Sequence, residues 1–334
     1  MNRLFPKNPI YWVCCQSFHI GVFFYFSEAK RQERSGSGKL KIARYSYQNK
    51  ESYGVINRQT VLSLPELAER FRIELPLRLE DFIAESDCTL EKTEELLRNA
   101  SNSGIESVAI PLCAVSLLAP ISFPPKILCL GLNYSDHAGE TKSTIPDEPI
   151  IFMKPHTAII GPNQKIIKPL FVKELDYEGE LCIVIGKTGK HIPVEKAKEY
   201  VFGYTVFNDV SARDFQFKDG QWTRGKSFDT FAPTGPCITT EKQLRTTNDL
   251  IIRTWVNNEL RQNGTTRNMV FNVSQVVHHL SRVITLEPGD IIATGTPAGV
   301  GFAMKPRHFL KDGDVVRIEI QGIGILENTV EERV

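Results

Sequence analysis

The spacing of apolar and polar residues changes character along the chain. Over residues 40–64, short apolar runs separated by polar turns predict a small antiparallel meander. Beyond it, apolar residues recur at helical spacing behind charged faces, which predicts helices over 65–71, 79–85 and 90–100. We therefore predict a small N-terminal α+β domain over residues 39–120.

The rest of the chain, residues 121–334, contains continuous apolar runs, which predict strands buried on both faces. These strands are predicted over 127–131, 150–155, 175–186, 202–209 and 250–256. A helix is predicted over 272–284 because four apolar residues share one face, and a hairpin over 314–330 ends the chain. The predicted fold class is α+β and rich in strands.

Two glutamates interrupt the apolar strand predicted over residues 175–186. Because side chains alternate between the faces of a strand, Glu178 and Glu180 point to the same side, about 7 Å apart. Buried carboxylates are costly unless a cation balances them. Asp209, at the end of the next buried strand, is a candidate third ligand. Three oxygen donors without a nearby histidine or cysteine favour Mg²⁺ or Mn²⁺, and Ca²⁺ after them.

A second candidate cluster follows the strand predicted over 127–131. His137 and Glu140 lie three residues apart, so one helical turn places them on the same face. A carboxylate on one imidazole nitrogen makes the other a better general base. The alternative is a capped helix start with an exposed histidine. Residues 139–149 are polar and contain proline, and we predict a mobile lid there.

Two lysines have two interpretations each. Lys154, at the end of an apolar strand, either faces a site or protects a sheet edge. Lys226, between Gly225 and Ser227, either belongs to a site or lies in a surface loop. The residues around them are needed to choose between these alternatives.

The glycine-rich segment over residues 288–301 has groups suited to an oxyanion. Neither the P-loop spacing nor the G-x-G-x-x-G spacing of dinucleotide-binding proteins occurs there. Thr294 and Thr296 supply hydroxyls, and the glycines allow backbone N–H groups to approach an anion closely.

Composition and charge argue against several classes of protein. A net charge of +1 over 334 residues gives no overall field for nucleic acid or an acidic membrane, and we expect neither partner. Seven cysteines without a C-x-x-C pair indicate reduced thiols. The apolar segment 11–26 is shorter than a bilayer span. We interpret residues 1–38 as an accessory or over-long extension and expect a cytoplasmic location, or a mitochondrial one for a eukaryotic protein with a presequence there.

Six short motifs occur in order at consistent spacing, over residues 131–137, 149–155, 176–180, 208–214, 225–230 and 294–301. Together they closely resemble the fumarylacetoacetate hydrolase family, and within it the branch of fumarylacetoacetate hydrolase domain-containing proteins. The resemblance extends from about Leu40 to the C-terminus and does not cover residues 1–38.

The resemblance implies a mixed β-roll or sandwich as the catalytic domain over 121–334, and a homodimer. It implies Mg²⁺ or Mn²⁺ at Glu178, Glu180 and Asp209. It also assigns the catalytic residues His137, Glu140, Lys154 and Lys226. The predicted substrate-binding residues are Gln216, Arg213, Thr296 and Tyr134.

The function implied is that of a divalent-metal-dependent enzyme acting on small 2-oxo or β-diketo acids through a metal-chelated enolate. Our first hypothesis is C–C bond hydrolysis of acylpyruvate or fumarylpyruvate substrates. The alternatives are an oxaloacetate keto–enol tautomerase, or an isomerase or decarboxylase of the 2-hydroxyhepta-2,4-diene-1,7-dioate type. A more remote hypothesis is an inactive scaffold that binds metal and dicarboxylates. Because these reactions share an enolate, the motifs do not choose between them.

Overall fold

The structure is a computed structural model that describes residues 40–102, 109–218, 220–244 and 246–334. The extension predicted over residues 1–38 lies outside these described residues. Within the described part of the chain, no helix is both long enough and apolar enough to cross a membrane.

Strands make up most of the described chain. Those up to residue 176 are β1 (Lys41–Tyr47), β2 (Lys50–Asn57), β3 (Thr60–Ser63), β4 (Ala109–Pro111), β5 (Ser116–Leu117), β6 (Ile127–Gly131), β7 (Ile150–Lys154), β8 (Ile159–Ile160), β9 (Lys165–Pro169) and β10 (Leu175–Asp176). Those that follow are β11 (Gly179–Ile185), β12 (Val201–Asn208), β13 (Ser211–Ala212), β14 (Ala232–Thr240), β15 (Ile251–Val256), β16 (Glu259–Thr265), β17 (Ile291–Ala293), β18 (Val315–Ile320) and β19 (Gly324–Arg333).

Most helices are short. They are α1 (Leu64–Phe71), α2 (Leu79–Ala84), α3 (Ser86–Asn102), α4 (Ser135–Thr141), α5 (Arg213–Gln216), α6 (Thr223–Lys226) and α7 (Val273–Val283). α7 begins with a reciprocal pair of hydrogen bonds, in which the side chains of Asn272 and Gln275 each accept from the other residue's backbone N–H. This cap explains why the helix predicted over 272–284 begins where it does.

The N-terminal meander and its helices are confirmed. β1, β2 and β3 pair antiparallel in sequence, and α1 and α2 lie close to their predicted positions. α3 begins at Ser86, four residues before the predicted start. Apolar side chains of all three helices share one core with strands of the main sheet, among them Leu67, Phe82 and Leu96.

The largest sheet has twelve strands and runs through both predicted domains. Its main order is β4-β3-β2-β1-β14-β12-β11-β17-β6-β7. β1 from the first predicted domain pairs with β14 from the second, where Lys41 lies opposite Thr239. The domain division at residue 120 stays a prediction, and the two segments on either side of it share this sheet.

A second sheet of five strands has the order β16-β15-β18-β19-β9. The predicted C-terminal hairpin is β18 and β19, and it belongs to this second sheet. The core between the sheets includes Leu181 and Ile183 on β11 and Ile252, Ile318 and Leu326 on the second sheet. β10 and β13 form a third, two-stranded sheet. Three sheets with few helices confirm the predicted strand-rich α+β fold.

Several strands were not predicted from the sequence, among them β9, β14 and β16. β14 lies between β1 and β12 although it contains Pro233 and Pro236. Its register against β12 shifts between the pairs Val206–Gly235 and Tyr204–Thr239, so Pro236 lies in a bulge. A residue in a bulge need not donate a ladder hydrogen bond, which is why the proline is tolerated there.

In the large sheet, the start of β11 and the ends of β6, β12 and β17 lie side by side, along the edge that runs across the strands. β11 is antiparallel to β12 and β17, so its first residues lie beside the last residues of those two strands. β6 is parallel to β17 and ends at the same edge. The segments that leave this edge are the chain before Gly179 and the chain after Gly131, Asn208 and Ala293. Every sequence motif with a predicted metal ligand or general base lies here.

Candidate active site

Three carboxylates meet where β11 begins and β12 ends. Glu178 directly precedes β11, Glu180 lies within it, and Asp209 directly follows β12. One oxygen from each carboxylate lies within 4.8 Å of the others, and all three residues are buried. The fold thus brings together the three residues predicted as metal ligands.

Glu178 is ion-paired through both oxygens. Lys226 Nζ donates to its Oε2 at 2.9 Å, and Arg213 Nη2 lies 2.6 Å from its Oε1. Burial opposes ionisation, but the charges of Lys226 and Arg213 outweigh it and hold the pKa of Glu178 well below its usual range. Glu178 is therefore an anion at neutral pH.

Asp209 accepts hydrogen bonds from both predicted lysines. Lys226 Nζ donates to Oδ2 at 2.7 Å, and Lys154 Nζ donates to Oδ1. Both lysines are buried. Lys154 belongs to the edge strand β7 but is not exposed there, and Lys226 lies in α6 and not in a surface loop. Burial would lower the pKa of Lys226, but Asp209 and Glu178 raise it above its ordinary value.

Glu180 forms no ion pair with any described residue. Its Oε2 accepts a hydrogen bond from the backbone N–H of Gly295 at 2.7 Å. Burial, followed by the charges of Asp209 and Glu178, raises the pKa of Glu180 well above its usual range. Among the described residues, no side-chain cation is therefore paired with this carboxylate of the triad.

This donor set fits a hard divalent cation. Three clustered carboxylate groups, with no imidazole or thiolate in the group, are typical ligands of Mg²⁺ and Mn²⁺. A cation bound there would favour the ionised form of Glu180, whose charge no side chain balances in the described chain. Glu178, Glu180 and Asp209 would hold it.

His137 and Glu140 form the predicted pair on α4. His137 Nδ1 lies 2.8 Å from Glu140 Oε1, and Glu140 Oε2 accepts from the backbone N–H of Gly299 at 2.9 Å. His137 is buried, so the alternative of an exposed histidine does not hold. α4 ends only at Thr141, so the loop predicted from residue 139 begins at Lys142, which has a left-handed backbone with φ of 56°.

A cavity of about 230 Å³ lies against these groups. Its polar lining consists of His137, Thr141, Ser143, Glu178, Arg213, Gln216, Lys226 and Thr296. Its apolar lining includes Leu130, Leu132, Phe152, Phe217, Trp222 and Phe302. The predicted general base His137, one carboxylate of the triad and three predicted substrate-binding residues, Arg213, Gln216 and Thr296, therefore face one small space.

Tyr134 is the predicted substrate-binding residue that the fold does not bring to this cavity. Its side chain is fully buried in the hydrophobic core and is not part of the cavity lining in the described structure. A role for Tyr134 in substrate binding stays a prediction.

The hydroxyl of Thr296 is held by two partners that sequence analysis did not find. Its Oγ1 donates to the carbonyl of Gly179 at 3.1 Å and accepts from Gln262 Nε2 at 2.7 Å. Gln262 Oε1 also accepts from the Gly179 N–H at 3.0 Å. The only hint of Gln262 in the sequence is a polar residue between other strand residues, at a position that the fold buries.

Aromatic residues of the cavity were also missed. Arg213 Cζ lies 4.3 Å from the ring centroid of Phe302, and Lys226 Nζ lies 5.2 Å from that of Phe152. These distances are within cation–π range. Trp222 packs on Gly131, where an added Cβ would lie 2.1 Å from the indole. Gly131 is therefore needed for this wall of the cavity.

The site and its surrounding sheet match a known family. The model described as the C-terminal domain of fumarylacetoacetate (FAA) hydrolase matches residues 126–331, more than half of the chain. The chain belongs to the fumarylacetoacetate hydrolase family.

Relatives within the fumarylacetoacetate hydrolase family carry names of three reactions. The mitochondrial oxaloacetate tautomerase fahd2 of Xenopus laevis is 45% identical over 258 residues, covering 77% of this chain and 79% of the relative. The 2-hydroxyhepta-2,4-diene-1,7-dioate isomerase from Mycobacterium marinum has a TM-score of 0.68 at 34% identity, covering 88% of this chain and 99% of that one. The maleylpyruvate hydrolase from Sphingobium sp. SYK-6, in complex with manganese(II) ion and pyruvate, has a TM-score of 0.70 at 32% identity, with coverage of 88% and 100%.

Proposed function

We propose that the protein is a divalent-metal-dependent oxaloacetate keto–enol tautomerase. The observation that carries the proposal is the His137–Glu140 pair on a small cavity that Glu178 of the carboxylate triad also lines. The likeness to a curated tautomerase, at 45% identity over 77% of this chain, supports this alternative over the C–C hydrolysis placed first on sequence grounds.

The reaction needs only the transfer of one proton between the enol oxygen and C3. His137 is suited to this transfer because Glu140 holds Nδ1, which leaves Nε2 for the substrate. His137 carries the proton between the two halves of the transfer. No water needs to be activated, and no C–C bond breaks.

Groups on the polar side of the cavity can balance the negative charge of the substrate. A divalent cation held by Glu178, Glu180 and Asp209 would supply Lewis-acid stabilisation of negative charge on the substrate oxygens. Lys226 is buried beside the same carboxylates and adds a fixed positive charge. Gln216 supplies an amide that can donate to the acid, and Thr296 lines the same cavity with its hydroxyl proton held by the Gly179 carbonyl.

The size of the cavity also supports a small substrate. At about 230 Å³ it lies below the roughly 300–1,000 Å³ of pockets for drug-sized ligands. A four-carbon 2-oxo acid suits this volume better than a long muconate-type acid. We propose oxaloacetate on this ground as well as on the named relative.

A second candidate, hydrolysis of an acylpyruvate, is favoured by the likeness to maleylpyruvate hydrolase at a TM-score of 0.70. In that reaction His137 would deprotonate a water that attacks the distal carbonyl. The same side chains would serve both reactions, and they differ in whether a water is positioned. The inactive scaffold is disfavoured because the general-base pair is complete.

One experiment separates these candidates. Enol-oxaloacetate is mixed with enzyme and Mg²⁺ or Mn²⁺, its ultraviolet absorbance is followed, and NMR records the products. The proposal predicts faster loss of the enol with oxaloacetate remaining the only acid. New pyruvate would indicate decarboxylation, and turnover of fumarylpyruvate with an inert enol would establish hydrolysis instead. The homodimer implied by the family is a separate proposal, which sedimentation velocity tests.

A further inference from the structure

Asp176, at the end of β10, is a buried carboxylate with no role among the predicted site residues. Its Oδ1 accepts from the backbone N–H groups of Tyr177 at 3.0 Å and Gly301 at 2.8 Å. Its Oδ2 accepts from the backbone N–H of Phe302 at 3.1 Å and from Arg213 Nε at 2.9 Å. Arg213 Nη2 also lies 2.9 Å from Oδ2. An ionised carboxylate has about four acceptor positions, so the four hydrogen bonds fill it.

Because all its acceptor positions are used, Asp176 can affect the site only through the groups that donate hydrogen bonds to it. Asp176 has no lone pair left for a cation or a substrate. It joins two segments that are far apart in sequence, the start of α5 at Arg213 and the glycine-rich loop at Gly301. Both segments contribute to the cavity lining, through Arg213 and Phe302.

The first connection runs through Arg213 to the carboxylate triad and the substrate amide. With Nε on Asp176, Arg213 directs Nη2 to Glu178 Oε1 at 2.6 Å and Nη1 to Gln216 Oε1 at 2.8 Å. Because Arg213 occupies the amide oxygen of Gln216, the amide NH₂ is the part left to face a bound acid. Arg213 thus makes Gln216 a hydrogen-bond donor toward the cavity.

The second connection runs through the backbone of the glycine-rich loop. Asp176 holds the N–H of Phe302, whose ring lies 4.3 Å from Arg213 Cζ and 6.4 Å, centroid to centroid, from the His137 ring. Gly301 permits this approach, because an added Cβ would lie 2.5 Å from Asp176 Oδ1 and 2.0 Å from the carbonyl of His308. The same carboxylate therefore sets the wall beside the general base.

We propose that Asp176 is the positioning residue of this site: through Arg213 it fixes the ligand orientation of Glu178 and the donor direction of Gln216. Through Gly301 and Phe302 it fixes the wall next to His137. The inference rests on the proposed function for the identity of the bound acid, but it is tested by binding alone. Groups that orient metal ligands from behind typically change metal affinity 10- to 100-fold when they are replaced.

The test is Asp176→Asn, which keeps the shape of the side chain. It replaces one of the two oxygens that accept from the four donors by an NH₂ group, which cannot accept. Titration calorimetry measures the Kd of Mn²⁺, and then the Kd of oxalate, a two-carbon dicarboxylate probe, with Mn²⁺ present. We expect both to weaken about tenfold or more. In turnover assays KM for the enol should rise. A folded Asp176→Asn protein whose two Kd values stay within twofold of the wild type overturns the positioning role.

A matched control separates positioning from a general loss of stability. Asp290 is another fully buried aspartate, and it lies at the opposite end of β17 from the site, ion-paired with Lys126 at 2.9 Å. Asp290→Asn should lower the melting temperature without changing either Kd. Equal weakening of binding in both variants would show that any buried aspartate has this effect and would overturn the proposal.

If Asp176→Asn does not fold, two further variants test the same proposal. Arg213→Lys retains the charge but loses the fork that reaches Gln216, and we expect the same weakening of oxalate binding. Gln216→Glu keeps the acceptor for Arg213 but turns an anionic oxygen toward the cavity, so it should abolish oxalate binding while Mn²⁺ still binds. Unchanged oxalate binding in both variants overturns the proposal. A wild-type protein that binds Mn²⁺ and oxalate but leaves enol-oxaloacetate unchanged overturns the proposed function instead.

Discussion

The carboxylate of Glu140 joins the imidazole of His137, 2.8 Å away on the same helix, to the glycine-rich loop 159 residues further along the chain. One oxygen holds His137 Nδ1, and the other accepts the N–H of Gly299. His137, the proposed general base, is therefore held by a carboxylate that is itself anchored to the glycine-rich loop. Without the hydrogen bond from Gly299, the Glu140 carboxylate could rotate, and the imidazole of His137 could rotate with it.

Replacing Glu140 by glutamine tests this arrangement. The amide offers one oxygen to the two donors that now share a carboxylate, so either His137 or Gly299 loses its acceptor. We expect kcat for enol loss to fall by about 10²-fold, within the usual range of about 10²–10⁴ for general-base contributions. Steady-state kinetics measures this. Glu148→Gln, an exposed change after the same helix, is the control, and equal kcat in both variants would contradict the role of Glu140.

Replacing Glu180 by glutamine tests the carboxylate triad. The variant removes the carboxylate that has no cation partner in the described chain, and Mn²⁺ affinity measured by calorimetry should fall about 100-fold or more. The melting temperature in EDTA should not fall, because burial, Asp209 and Glu178 already raise the pKa of Glu180 and disfavour its charge. The control is Glu259→Gln, an exposed residue of β16. Normal Mn²⁺ binding by Glu180→Gln would show that the metal lies elsewhere.

Added metal should stabilise the folded protein. Free Mn²⁺ at about 100 times its Kd raises the free energy of unfolding by about 2.7 kcal/mol, provided the unfolded chain does not bind it. Thermal melts of the wild type with Mn²⁺ and with EDTA should differ accordingly. Glu178→Gln should show no such difference. A melting temperature of the wild type that does not respond to Mn²⁺ is the contrary result.

Gly131→Ala should damage the cavity. The added Cβ would lie 2.1 Å from the Trp222 ring, so the indole must move from the wall that it forms. We expect KM to rise about tenfold and the melting temperature to fall, as in other overpacked cores. Gly139→Ala on α4 is the matched control, because no described atom lies within 4 Å of its Cβ position. That change should leave KM unaltered and raise stability by about 1 kcal/mol, the helix preference for alanine.

The sequence was informative where a residue contradicted its own local pattern. Glu178 and Glu180 occupy apolar positions of a buried strand, and Asp209 ends the next one, so local spacing sufficed to place them at a common edge. His137 and Glu140 share a helical turn for the same local reason. The fold class could be predicted because the runs of apolar residues are long enough to indicate strands, even when the pairing of those strands is not known.

What sequence analysis missed depends on contacts between distant segments. Asp176 meets Gly301 across 125 residues, and Gln262 meets Thr296 across 34, with no local pattern to connect either pair. β14 was missed because two prolines normally argue against an interior strand, whereas here one of them lies in a bulge. Tyr134 lies within a motif, but its side chain turns into the core.

The rate of enol-oxaloacetate decay with Mn²⁺, measured by stopped-flow absorbance for the wild type and for His137→Gln, tests the tautomerase proposal most directly. We predict that the wild type accelerates the decay. We also predict that His137→Gln binds Mn²⁺ and oxalate as the wild type does but loses at least 10²-fold of this acceleration. A wild type that does not accelerate the decay would contradict the tautomerase proposal, and a His137→Gln variant that accelerates it equally would contradict the role of His137.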